Sequence, residues 1–363
     1  MRVLVFIATV DIILSIISYN YLRVHFQFAK SWSFLLTFLF LMVNMVACRF
    51  LPPYIPLYIA KTSAWLSGLW IAVMYYLLIL SVAHGVLHIL DKLFHLNTPH
   101  VKIASAAMTF ILLFVSWGTF RAFSPNLRTE NIASEKLKQN SSYKIILLTD
   151  IHLGQVLGRT YSEKLVRRIN EQQPDLVLIS GDLLDEKIAY IEREKSLEPF
   201  KNINSKFGTF LAFGNHDYLD RPQLWQTILE DHNIQVLRNK SIIIDEQIKL
   251  TGINDWSRNR SNEEIIANST DNEKYYSILL DHQPRRINAA AAAQYDLYLS
   301  GHTHTGQLFP NRQVTKRMYL LDYGRLNLNK TTAITSNGYG FWGPPVRTEV
   351  APEFILINLQ SKQ

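Results

Sequence analysis

The feature that most constrains this 363-residue chain is the near-absence of charge from its first third. Residues 1–120 hold seven Lys or Arg (Arg2, Arg23, Lys30, Arg49, Lys61, Lys92, Lys102) and two acids, Asp11 and Asp91. The chain has 37 basic and 30 acidic residues, so 30 and 28 fall in the remainder. An apolar segment is therefore joined to material of ordinary water-facing composition, which excludes a wholly soluble chain and equally a disordered or fibrous one. Five units of the net charge of +7 sit in the apolar third, leaving about +2 for the rest. That excess is too small to argue for nucleic acid, and no nucleic-acid partner is expected. The single cysteine, Cys48, lies in an apolar run, so neither an intrachain disulfide nor a zinc–thiolate cluster can form.

Four apolar runs, approximately Val3 to Leu22, Trp32 to Cys48, Ala64 to Val82 and Ile103 to Phe120, each approach the ~20 residues needed to cross a ~30 Å hydrocarbon core. A cleaved signal peptide would explain the first run alone. The expectation is a multi-pass transmembrane region over residues 1–123 with about four helices, and a second domain over 124–363. With four spans, the N-terminus and that domain share a side. A small excess of Lys and Arg on that side (Arg2, Arg49, Lys61, Arg121, Arg128, against Arg23, Lys30, Lys92, Lys102) favours the cytoplasm. Asp11, within the first run, reads either as a proton or ligand site or as a structural hydrogen bond to a neighbouring helix. His84 and His88 stand one helical turn apart, a metal-ligand spacing, but at the end of a run they also suit hydrogen-bonded interfacial positions.

From about Ser124 short β-branched runs alternate with polar segments of helical period. The runs are KIILLTD (from Lys144), DLVLISGD (from Asp175), GTFLAFGNHD (from Gly208), YYSILLDH (from Tyr275) and YDLYLSGHTH (from Tyr295). Helices are expected over Tyr161 to Gln172 and Arg285 to Ala293, and antiparallel strands over Ile242 to Thr251 and Glu353 to Leu359. The alternation predicts an α/β domain whose strands are buried on both faces.

Each of the five runs ends in residues that bind metals: Asp150 and His152, Asp182, Asn215-His216-Asp217, Asp281-His282, and His302 with His304. Ligands gather outside the carboxyl ends of strands in open α/β sheets. A lone Asp-x-His or Gly-Asp is a commonplace turn; five such endings in one register are not. The donor set mixes carboxylate, amide oxygen and imidazole without thiolate. That suits borderline-to-hard ions such as Mn, Fe or Zn rather than calcium, which prefers oxygen alone. Two such ions about 3.5–4 Å apart can clamp the attacking and leaving oxygens of a phosphoryl displacement and acidify a bound water.

In this order, Asp150/His152, Asp182, Asn215-His216, His282 and His302/His304 resemble the signature of the calcineurin-like metallophosphoesterases. Asn337-Gly-Tyr-Gly-Phe-Trp-Gly-Pro-Pro-Val-Arg347 resembles a bacterial membrane-associated branch of that family. The resemblance implies a sandwich of two mixed sheets flanked by helices, two divalent metal ions and a phosphate-ester substrate. It implies that Asp150, His152 and His304 hold one metal, that Asn215, His282 and His302 hold the other, and that Asp182 bridges them. His216 would meet the scissile phosphate as general acid or as a stabilising cation, and Asp217 would either orient His216 or cap a turn. The branch reads Gly-His-Thr-His-Gly-Gly where this chain has Thr305 at the first final glycine.

Other candidates carry less chemistry. His232 reads as surface. Trp256 and Phe341-Trp342 suit either a substrate groove or a core. Arg258, Arg260, Arg285 and Arg286 suit a second phosphate or a solvated face. The reading is a membrane-anchored, two-metal phosphoesterase, integral to a bacterial inner membrane, with a phospholipid or lipid-linked diphosphate favoured as substrate because four spans exceed what an anchor requires. The alternative is a membrane sensor or transport protein whose phosphoesterase-like domain binds ligand or metal without turnover. The intact set of eight site residues, His216 included, favours the enzyme.

Overall fold

The computed structural model describes residues 2–51 and 54–362, and of residues 2–8 and 10 the backbone only. The chain divides into two compact units, Met1–Phe120 with Gly343–Thr348, and Arg121–Trp342 with Glu349–Gln363. The hexapeptide Gly343–Thr348 thus belongs with the apolar third, although it lies more than 200 residues downstream of it.

The first unit is helical: α1 (Arg2–His25), α2 (Trp32–Ala47), α3 (Leu57–Phe94) and α4 (His100–Ala122). Of these, α3 and α4 are long and apolar enough to cross a bilayer. The helix α2, capped by Ser31 accepting from the Phe34 amide, has only 16 residues. At 1.5 Å per residue that is about 24 Å, short of a ~30 Å core. The first expected span, Val3 to Leu22, falls partly on side chains outside the described residues. Among the described residues, two candidate spans therefore stand where four were expected. Polar groups inside the unit are tied to each other. Asn44 on α2 donates to the Ser63 carbonyl (2.9 Å) and Ser67 Oγ (2.8 Å) on α3. His84 pairs with Tyr21 (2.9 Å) and His100 (3.0 Å), and His100 with Asp91 (3.3 Å), so His84 sits in a hydrogen-bonded chain rather than in a pair with His88. Gly118 lets α4 approach the returning hexapeptide: a Cβ there would lie 2.7 Å from Val346 and 2.8 Å from Thr348.

The second unit carries two six-stranded sheets. The strands are β1 (Asn126–Ser134), β2 (Ser142–Leu148), β3 (Leu176–Ser180), β4 (Thr209–Ala212), β5 (Ile234–Val236), β6 (Lys240–Ile244), β7 (Ile248–Gly252), β8 (Tyr276–Leu280), β9 (Leu297–Ser300), β10 (Gly324–Leu328), β11 (Thr331–Thr335) and β12 (Glu353–Ser361). One sheet runs β1-β12-β2-β3-β4-β5, the other β10-β11-β9-β8-β7-β6. Strands β2 to β5 are parallel, as are β7, β8, β9 and β11; β12 lies antiparallel to β2, and β6 and β10 are antiparallel edges. The helices are α5 (Arg159–Glu171), α6 (Ile188–Glu194), α7 (Pro222–Glu230), α8 (Glu263–Ala267), α9 (Ile287–Ala292) and α10 (Arg312–Met318).

Period-two alternation divides the apolar side chains between layers. Ile145, Leu147, Leu176 and Leu178 face the second sheet, against Leu250, Ile278, Leu280 and Leu299. Their neighbours Ile146, Leu148, Val177 and Ile179 face outward onto Leu165 and Ile169 of α5 and Trp225 and Leu229 of α7. Leu279 and Tyr298 on the far face of the second sheet meet Ile265 of α8 and Ile287 of α9. The result is a mixed α/β sandwich with four layers, helix, sheet, sheet, helix, in which both sheets are covered. One expectation fails in detail. Ile242 to Thr251 is not one strand but the hairpin β6–β7, turned at Asp245 and Glu246, both in the left-handed region (φ 50° and 54°).

Candidate metal centre

Strands β2, β3 and β4 are adjacent and parallel, so their carboxyl ends open on one edge and deliver Asp150/His152, Asp182 and Asn215/His216 side by side. Strands β8 and β9 do the same in the other sheet for His282 and His302/His304. The two sheets are stitched at this end by Ser180 Oγ, which lies 3.0 Å from the Leu299 carbonyl and 3.3 Å from that of Asp281. The chain leaves the strands in a strained conformation. Asp150, His152, Asp182, His302 and His304 all have positive φ, between 46° and 71°. Each such non-glycine residue costs of order 1 kcal/mol, and clusters of them occur where function holds the backbone against its preference. Gly214 leaves room for Asp182: a Cβ there would lie 2.2 Å from its Oδ1.

The donors converge. Asp150, His152 and His304 place one ligand atom each within 4.8 Å of one another, as do Asp182, His282 and His302, and as do His152, Asp182 and His216. Asp150 and His282 are completely buried, and Asp182 is 2% exposed. Three details fit a bound cation. His152 and His304 bring their Nε2 atoms to 3.0 Å, and His282 Nε2 lies 3.2 Å from His302 Nδ1, so imidazole nitrogens face each other in pairs. The Nδ1 of His282 donates to the Ser180 carbonyl (2.9 Å), which fixes the tautomer and leaves Nε2 for a ligand 3.1 Å from Asp182. Asn215 Oδ1 is buried with no hydrogen-bond partner, an acceptor that a cation would satisfy. Two carboxylates, one amide oxygen and four imidazoles make a donor set for borderline divalent ions.

The electrostatics follow from burial and proximity. Burial raises the Asp182 carboxyl, but His282, His216 and His152 outweigh it and hold Asp182 well below the usual range. Burial pushes His302 down to about 4, with the His282 charge adding to the effect. His216 goes the other way. Burial opposes its cation, yet the hydrogen bond and charge of Asp185, with Asp182 beyond, push it up to about 9. His216 Nδ1 lies 2.5 Å from Asp185 Oδ1, and the edge of the Trp342 ring meets the imidazole at 5.9 Å.

Asp185 is the carboxylate beside His216, and the sequence pointed instead to Asp217, which adjoins His216 in the chain. Asp217 turns away: it accepts from the amides of Asp182 (2.9 Å), Gly214 (2.8 Å) and Leu184 (3.0 Å), fastening the loop after β3 to the loop after β4. The carboxylate beside the imidazole comes from the loop after β3, where Gly181-Asp-Leu-Leu-Asp185 places a second acid three residues beyond Asp182.

The remaining candidates separate. Arg286 does not lie on a solvated face. It is 1% exposed and grips Asp281 through Nε (2.9 Å) and Nη2 (2.8 Å), which removes Asp281 from the metal donors. Arg285 stacks on Tyr319, whose ring lies 6.1 Å from that of His302. Phe341 packs on Phe123 in the core, while Trp342 is 55% exposed. His232 is pinned to the Ile228 carbonyl and Glu198, away from the centre. Thr305 adopts φ 52° and ψ 38°, the left-handed conformation natural to glycine, with its hydroxyl buried and unpartnered.

Comparison with known proteins agrees with this geometry. Residues 143–306 match the family model described as calcineurin-like phosphoesterase. An uncharacterized metallophosphoesterase of Helicobacter pylori is 36% identical over 251 residues, covering 64% of this chain and 66% of its own length. One of Campylobacter jejuni is 33% identical, covering 66% and 64%. A bovine protein described as a transmembrane protein with metallophosphoesterase domain is 32% identical over 286 residues, covering 72% and 63%. This chain thus spans slightly under two thirds of the length of these relatives, and the bovine match shows that the likeness is not confined to a bacterial branch. Apolar helices here and a relative named as transmembrane together suggest association with a membrane. Residues 143–306 of the chain form a calcineurin-like metallophosphoesterase domain.

Proposed function

We propose that the chain is a membrane-anchored, two-metal phosphoesterase that hydrolyses a phospholipid or lipid-linked diphosphate. The observation that carries the reading is the overlap of three donor groups, two of which share Asp182 and two of which share His152. Such overlap is what a bridging carboxylate between two ions requires. On this reading Asp150, His152 and His304 hold one ion, Asn215, His282 and His302 hold the other, and Asp182 bridges them. Bound ions of the Mn, Fe or Zn class would neutralise charge on the phosphoryl oxygens and supply the nucleophile from water.

The chain's own residues do the rest. Asp185 holds His216 protonated and fixes its ring through Nδ1, leaving the Nε2 proton for the oxygen that departs from phosphorus. Trp342 limits the swing of that ring. Asp217 keeps the two ligand-bearing loops in register. The domain proposed to act is 124–363, joined to the helical region 1–123, in which α3 and α4 are the candidate spans, and facing the cytoplasm of the cell. Support for a lipid substrate is architectural: several apolar helices exceed what an enzyme acting on a soluble ester needs. The test is metal analysis of the purified full-length protein alongside a panel of chromogenic monoesters and diesters, nucleotides and vesicle-borne lipid phosphates. Hydrolysis of lipid phosphates in preference to nucleotides supports the reading. Hydrolysis of nucleotides alone removes the lipid and keeps the phosphoesterase.

A further inference from the structure

The helix α10 is built inside out for a water-facing domain. None of its seven residues is buried. Two of its polar residues face the body of the domain: Arg312 pairs with Asp322 (3.6 Å), and Thr315 Oγ1 bonds the same carboxylate (3.1 Å). Its apolar residues face outward. Val314 is 54% exposed and Met318, one turn later, 55%; Leu320, just beyond the helix, is 58% exposed. A surface helix in water turns its apolar residues inward. The charge is one-sided as well. From Gly306 to Leu321 there is no acid, while Lys316 and Arg317 are exposed cations.

The position of this patch is specific. Tyr319, which ends α10, brings its ring to 6.1 Å from that of His302, and the exposed Trp342 meets His216 at 5.9 Å. One exposed aromatic, Trp342, thus lies at His216, and the residue that follows α10, Tyr319, lies at His302. Aromatic and long apolar side chains interleaved with Lys and Arg suit the headgroup boundary of a bilayer, where the apolar parts dip into the acyl region and the cations meet anionic headgroups.

We infer that Val314, Met318, Leu320 and Trp342, with Lys316 and Arg317, form a docking surface for an anionic lipid leaflet, which sets the mouth of the metal centre at the level of the lipid phosphates. The inference rests on the membrane reading above and supplies what that reading lacks, the residues that meet the lipid. The apolar groups enter below the headgroups, the cations stay at their level, and the site between them faces the phosphate plane. No second protein is needed to cover the patch.

The experiment uses the full chain with Cys48→Ser, reconstituted in vesicles of phosphatidylcholine and phosphatidylglycerol. Met318→Cys carries an environment-sensitive fluorophore, and Glu246→Cys, at a side chain 88% exposed, serves as the water-facing control. The expected result is quenching by a shallow spin-labelled lipid at least roughly threefold stronger at 318 than at 246, with the reverse order for aqueous iodide. Equal iodide access at both positions overturns the inference. So does protection at 318 from iodide and lipid quenchers alike, since that means a protein surface covers the patch. A second arm compares hydrolysis of a vesicle-borne lipid phosphate with that of a soluble diester in the double variant Val314→Asp/Met318→Asp. The ratio of the two rates should fall about tenfold, and an unchanged ratio overturns the inference. If the parent chain cleaves no lipid phosphate, the substrate reading fails, and the quenching result alone decides the docking surface.

Discussion

Replacing Asp185 by Asn tests the reading of His216 most incisively among single substitutions. The carboxylate at 2.5 Å is the chief reason that His216 rises to about 9 from an ordinary 6.5 despite burial. Both side chains are shielded, 16% and 23% exposed, so the interaction is little screened. The gap of about 2.5 units corresponds to roughly 3 kcal/mol favouring the imidazolium, at 1.36 kcal/mol per unit. Because the folded-state value is raised, this stabilisation is fully present below pH 6.5 and is lost as pH rises through about 9. If His216 gives a proton to the leaving oxygen, kcat/KM on a soluble diester should hold up to about pH 9 and then fall. In Asp185→Asn the burial that opposes the cation is no longer offset by a charge at Nδ1. The alkaline limb should move down by about two units, and the rate at pH 8 should fall roughly tenfold. The assay is a pH profile on full-length protein with metal content measured in parallel. An alkaline limb that stays in place, with both metals retained, refutes the assignment of His216 as the acid.

Three further outcomes are expected. His216→Ala should keep its metals and lose about 10²–10⁴-fold in turnover; loss of metal instead would make His216 a ligand. Thr305→Gly should stabilise the protein by about 1 kcal/mol, because a β-branched residue leaves the left-handed region and a buried, unpartnered hydroxyl disappears. In a unit of this size that raises Tm by about 2–4 °C, and a lowered Tm would show that the threonine packs better than its backbone suggests. Reporters fused before Met1 and after Gln363 should report the same face of the membrane; opposite faces would mean an odd number of spans.

What could be read in the sequence follows from how strands and ligands relate. Leu176 to Ser180 is buried along its whole length and so appears as an unbroken apolar run, and the residues that must break it, Gly181 and Asp182, mark its end by contrast. The same holds for the strands ending near Asn215, His282 and His302, and for the last four residues of the strand ending near Asp150. Pairing between loops was not legible. Asp217 adjoins His216 in the chain, but the 3₁₀ turn at His216–Tyr218 points the carboxylate back to the amides of Asp182 and Gly214. Asp185 reaches His216 only because the β3 and β4 loops lie side by side. The burial of Arg286 depends in the same way on Asp281 and Tyr298 meeting it from β8 and β9. The hairpin at Asp245–Glu246 lacks a glycine or asparagine to signal its turn, since acids there adopt positive φ without advertising it. The returning hexapeptide Gly343–Thr348 joins the first unit by contacts with α3 and α4, which no local pattern encodes.

The central claim is that one buried carboxylate serves two metal ions, and the most direct measurement is metal stoichiometry in full-length protein and in Asp182→Ala, by elemental analysis after exhaustive dialysis. Asp182 sits within reach of His282 at 3.1 Å and belongs to two of the three donor groups. Two divalent ions per chain are expected in the parent protein. In the variant, metal should be lost from both sites together, with loss of diester hydrolysis. A variant that retains both ions and full turnover, or a parent protein that turns over its substrate with no more than one ion per chain, would contradict the claim.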